Sequence, residues 1–151
     1  MQETAPAPHG PAPQVSAPQV SASQRSGQVS AGLLYALRIV VVAQAASLLV
    51  AASLAGQAVG AGEAMRESHV MAGMVVHLVA LVQVVLAVLV WRPGRGAGWP
   101  ALASVALLVV GMAQHVTWLW LGAHVPNGVA LFGLIVAMLV WVWSPRAGVR
   151  R

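Results

Sequence analysis

The chain has 151 residues, 59% of them hydrophobic and only 7% charged, with a formal net charge of +5. Soluble domains carry about 25% charged residues, so this chain has too few polar groups to face water, and its solvent must be largely lipid. The positive charge lies in arginines at the flanks of apolar runs, with no basic face interleaved with aromatics, which excludes nucleic acid as a partner. The absence of Cys excludes disulfides, thiolate metal sites and thiol redox chemistry.

Residues 1–30 are rich in Pro, Ala, Ser and Gln, with one acid, Glu3, and one base, Arg25. Such a segment buries too little apolar surface to offset its ordering entropy, so a disordered cytoplasmic tail is expected here. It lacks the basic start, apolar middle and cleavage site of a signal peptide. His9 lies in it and is expected to be solvated.

Four apolar runs follow and predict transmembrane helices at about 33–58, 69–91, 100–122 and 125–143, within a membrane domain of residues 31–144. Each is near the ~20 residues that cross a ~30 Å hydrocarbon core. Backbone groups find no water there, so the runs must be helical. Residues 145–151 form a basic cytoplasmic tail.

Arg25, Arg38, Arg92, Arg95, Arg146, Arg150 and Arg151 fall at one end of such helices, whereas the first connection holds Arg66 against Glu63 and Glu67. The positive-inside rule then places both termini in the cytoplasm, in a multi-pass protein of the plasma membrane. Trp91, Trp99, Trp141 and Trp143 mark the inner interface, and Trp118 and Trp120 the outer one.

His69-Val-Met-Ala-Gly73 has an echo in His124-Val-Pro-Asn-Gly128, and Ala87-Val-Leu-Val-Trp91 has one in Ala137-Met-Leu-Val-Trp141. The expected fold is therefore all-α: a transmembrane antiparallel four-helix bundle built from two repeated helical hairpins. His69, Gly73, His77, Ala80, Gln83 and Ala87 recur at steps of three or four residues and so share one face of the second helix. Gln44, Gln83 and Gln114 are expected to make hydrogen bonds between helices.

The histidines carry the chemical signal. Neutral imidazoles on facing helices are axial ligands for haem iron, and they bring no buried charge. The repeat selects His69 and His124 as the first cofactor-binding pair. His77 and His115 form a second pair, and Arg66 is placed to meet a haem propionate. Carboxylates and thiolates are missing at these depths, so no metal beyond haem iron is expected. Two functions follow. One is a structural or accessory membrane subunit with no cofactor and no catalytic residue. The alternative is a membrane protein that holds haem b for electron transfer or haem handling. Expected partners are the lipid bilayer and either another membrane protein or a second copy of the chain. Transport finds no support, since the three acids, Glu3, Glu63 and Glu67, all lie outside the apolar runs.

Four helices, histidines at the outer ends of the second and fourth, and Gln114 before the fourth helix's histidine resemble half of a haem A synthase. That resemblance implies paired histidine haem ligands over about Leu33 to Trp143. The enzymes are tandem four-helix units with an acid near a catalytic-site histidine. This chain has one unit, and Glu67 is interfacial, so oxidation of a haem methyl is not implied. Trp91-Arg-Pro-Gly-Arg-Gly96 and His124-Val-Pro-Asn-Gly128 also look like small actinobacterial four-helix membrane proteins, which implies a family and no activity.

Overall fold

A computed structural model describes residues 28–61 and 63–150. It contains four long helices: α1 (Ala31–Ala61), α2 (Glu63–Trp91), α3 (Trp99–Thr117) and α4 (Leu121–Val142), followed by a 3-10 turn, Pro145–Gly148. All four are long and apolar enough to cross a membrane. The chain is an all-α integral membrane protein.

Each helix packs on two neighbours in the cyclic order α1, α2, α3, α4, so α2 and α4 lie diagonally opposite. Neighbours run in opposite directions. His77 lies beside Gly111 and Gln83 beside Ser104 across α2 and α3. Thr117 meets His124, and Trp99 meets Trp141, across α3 and α4. Arg38 near the start of α1 reaches Val142 at the end of α4. These contacts define a terminal end, which holds residues 28–30 and 145–150, and a histidine end opposite it.

The helix limits differ from those expected. Residues 59–61 and 63–68, expected as a connection, are helical. Hydropathy marks where lipid stops, not where a helix stops. Ala, Gln, Glu, Met and Arg are good helix formers beyond that point, and Arg66 pairs with Glu63 one turn away. At 31 residues α1 is about 46 Å long, well over the ~30 Å core. The third connection falls at residues 118–120, not at 123–124, because Pro126 is accommodated inside α4. As the sixth residue of α4 it removes only the hydrogen bond to the Gly122 carbonyl.

The ends of the membrane domain are also more ordered than expected. Gln28 pairs with Val149, and Val29 N donates to Gly148 O at 3.0 Å. Val29 and Ala147 are buried. Backbone pairing and apolar anchoring thus hold residues 28–30 and 145–150 to the bundle. The remainder of the expected disordered tail, residues 1–27 with His9, lies outside the described residues.

The α2–α3 connection depends on two glycines. Gly94 N donates to Leu89 O at 3.0 Å and Gly96 N to Val90 O at 2.8 Å, closing the end of α2. A Cβ at Gly94 would stand 2.5 Å from the Val90 carbonyl oxygen, and one at Gly96 2.9 Å from the same atom. Either would force the turn open. Nearby, Arg92 lies over Trp91 and Arg38 over Trp143, and Trp99 packs edge-on to Trp141. The terminal end therefore carries the basic and aromatic belt.

Burial is unevenly distributed along the bundle. Leu37, Val41, Ala87, Val90, Leu107, Ile135, Met138 and Val142 are fully enclosed, all in the terminal half. Gln83 and Ser104 are buried among them, with Gln83 Nε2 donating to Ser104 Oγ at 3.1 Å, the expected bond between helices. Gln44 is buried too, but its Oε1 has no partner among the described residues. Outward positions such as Ile39, Leu49, Leu78, Leu81, Leu102, Val109 and Val140 are exposed and apolar, which suits lipid and not water. Towards the histidine end the buried positions stop at Ala51, Val76, Gly111 and Leu131.

Candidate functional site

A cavity of about 500 Å³ opens where the buried core stops. Its walls are built from small residues at helical spacing: Ala51, Ala55 and Ala58 on α1, Gly73 on α2 and Gly111 on α3. Side chains this small do not fill the space between the helices at this level. Leu48, Val76 and Leu131 close the floor above the packed half. Arg66, His69, His77, Gln114, His115 and His124 contribute to the polar lining, so every candidate cofactor residue read from the sequence meets this one space.

His69, on α2, has its Nδ1 2.8 Å from the Ala51 carbonyl oxygen of α1. A carbonyl oxygen only accepts, so the neutral ring carries its proton on Nδ1 and presents a lone pair at Nε2. His77 repeats this logic within its own helix: Nδ1 lies 2.5 Å from Gly73 O, one turn back. Its Nε2 is buried and unpartnered among the described residues. That atom would lie 3.3 Å from a Cβ at Gly111, so the glycine makes room for the ring.

The rings of His69 and His124, and those of His77 and His115, lie near each other at different separations. His69 and His124 have ring centres 6.3 Å apart with planes inclined at 67°. His77 and His115 are closer, 4.8 Å apart and inclined at 30°, a tilted stack across α2 and α3. Imidazoles on opposite faces of one metal ion have ring centres about 6 Å apart, given ~2 Å for each metal–nitrogen bond and ~1 Å from nitrogen to ring centre. The outer pair meets that spacing and the inner pair falls short of it.

His124 stands in the first turn of α4 beside the end of α3. Its Nδ1 is 3.4 Å from Thr117 Oγ1 and 3.1 Å from the Gln114 carboxamide. Asn127 Nδ2 donates to Val110 O at 2.9 Å and pins α4 to α3 just below. Arg66 is half exposed at the cavity rim, ion-paired with Glu63 and 5.9 Å from the Trp118 ring centre. Among the described residues no three His, Asp or Glu side chains converge as metal ligands. The donor set is two imidazoles on diagonal helices, which suits a metal ion that brings its equatorial ligands with it.

Sequence reasoning identified these six polar residues but not Thr117 or the Ala51 carbonyl. The first is one hydroxyl among several, and the second is a backbone group with no signature. No protein-family model, curated protein or solved structure matches this chain.

Proposed function

We propose that this integral membrane protein holds one b-type haem, with His69 and His124 as axial ligands. The observation that carries the reading is their 6.3 Å separation, with His69 held by Ala51 in the tautomer that leaves Nε2 free. Ligating histidines characteristically donate their other ring N–H to a carbonyl, which fixes ring orientation and raises ligand basicity. When bound, haem supplies reversible one-electron chemistry within the bilayer. Arg66 at the rim would meet a propionate, and the apolar walls from α1 to α4 would exclude water from the macrocycle. The closed floor and the absence of acids from the apolar runs favour binding over conduction. The arginine distribution supports a location of the cavity on the outer side of a plasma membrane.

A cofactor-free accessory subunit is the second reading. The His69–Ala51 bond favours it, because that bond also ties α1 to α2 without any ligand. One measurement separates the two: the reduced-minus-oxidised spectrum of protein purified in detergent from haem-replete cells. The haem reading expects a b-type Soret and α band, lost in His69→Ala and His124→Ala and kept in His9→Ala. A colourless wild-type protein would overturn it.

A further inference from the structure

A neutral imidazole that binds metal through Nε2 keeps its proton on Nδ1, and an acceptor must face it there. His69 has that acceptor in Ala51 O. His124 faces Gln114 instead, a carboxamide whose two ends differ only in hydrogen bonding: one accepts, the other donates.

Two sets of partners compete for this amide. In the first, its oxygen accepts from Gly128 N–H at 3.2 Å and its nitrogen donates to His124 O at 3.2 Å. The amide nitrogen then lies 3.1 Å from His124 Nδ1. A donor facing Nδ1 excludes a proton there, so the proton moves to Nε2 and blocks that atom as a ligand. In the second, the amide turns end over end. Its oxygen then faces Asn127 Nδ2, a donor 3.1 Å away, and His124 Nδ1 becomes a second donor to it. The Gly128 N–H bond is given up, the amide nitrogen then faces that N–H, and the amide oxygen faces the His124 carbonyl oxygen at 3.2 Å, costs that metal ligation by the freed Nε2 has to offset. Thr117 does not decide between the two. Its hydroxyl donates to Ala113 O at 3.1 Å and stands farther from the ring, at 3.4 Å. A Cβ at Gly128 would come 3.4 Å from the amide, so glycine there leaves it clearance.

We infer that Gln114 is a positioning residue that sets the tautomer of His124, holding it non-ligating in one amide orientation and ligating in the other. The inference rests on the haem reading for its purpose, and its structural content stands apart from haem. Gln114→Glu presents an acceptor to Nδ1. Gln114→Met keeps the bulk and removes both functions.

The test is ¹⁵N NMR of histidine-labelled, haem-free protein in detergent, with His124 assigned by His124→Ala. The expected result is Nε2–H in the wild type and Nδ1–H in Gln114→Glu. In the holoprotein, Gln114→Met is expected to lose about 10- to 100-fold in haem affinity, the usual cost of an outer-shell partner. Gln114→Glu is expected to keep haem and to lower its midpoint potential, a change that a merely structural role would not produce. His124 found as Nδ1–H in the haem-free wild type and unchanged in both variants would overturn the inference. That result leaves the haem reading to its own spectrum, and a colourless wild type would remove the haem reading while the NMR still reports the tautomer.

Discussion

His69 on α2 and His124 on α4 have ring centres 6.3 Å apart although their helices are diagonal partners, not neighbours. Helices so placed meet only through side chains that cross the bundle axis, and the small residues of α1 and α3 leave that axis open at this level. Filling the space should therefore remove the cofactor without touching either histidine. Gly111→Leu is expected to abolish the haem spectrum by pushing His77 into the cavity, since even a Cβ there lies 3.3 Å from its Nε2. An unchanged spectrum would sink the link between the cavity and haem.

The buried Gln83–Ser104 pair makes a different prediction. Ser104 Oγ accepts from Gln83 Nε2 at 3.1 Å and itself donates to Pro100 O at 2.7 Å. Ser104→Ala leaves Gln83 Nε2 without that bond inside the core, at a cost of about 1–3 kcal/mol. The coupling between the two side chains is smaller, about 0.6 kcal/mol, typical of membrane hydrogen bonds. A double-mutant cycle with Gln83→Leu, followed by denaturation from a mild into a harsh detergent, measures both quantities.

Arg38 joins the first helix to the last. Its Nε donates to Val142 O at 2.8 Å, and its guanidinium lies 4.8 Å from the Trp143 ring centre. Lysine cannot direct a planar N–H at the carbonyl while covering the ring. Arg38→Lys is expected to destabilise the bundle by about 1–2 kcal/mol and to speed proteolytic cleavage after Trp143. Equal cleavage rates would show that the clasp at Gln28 and Val149 suffices alone.

Arg66 should behave as a ligand contact and not as a structural one. Its partner Glu63 is exposed, and water and salt screen such a pair. Arg66→Gln is expected to leave the melting temperature unchanged at low and high salt, while haem is lost faster to an apo-globin acceptor. A lower melting temperature with an unaltered loss rate would reverse that assignment.

The lipid-facing character and the four helices follow from the sequence by itself, because 59% hydrophobic residues with 7% charged leave no other solvent. The inward face of α2 was also readable, since Ala80, Gln83 and Ala87 recur at helical spacing and all three are buried. Other features were set by tertiary structure. Residues 59–61 and 63–68 are helical past the apolar limit, where hydropathy carries no signal. Residues 28–30 are held by pairing with Gly148 and Val149, which are remote in sequence, and by burial of Val29. The spacing that distinguishes the outer histidine pair from the inner one depends on how far each helix is rotated. Those rotations are set by the packing of Leu37, Leu107, Ile135 and Met138 at the opposite end, a many-body fit with no local code. The tautomer of His69 depends on a backbone carbonyl of another helix, and a backbone carbonyl is the same at every position until the fold selects one.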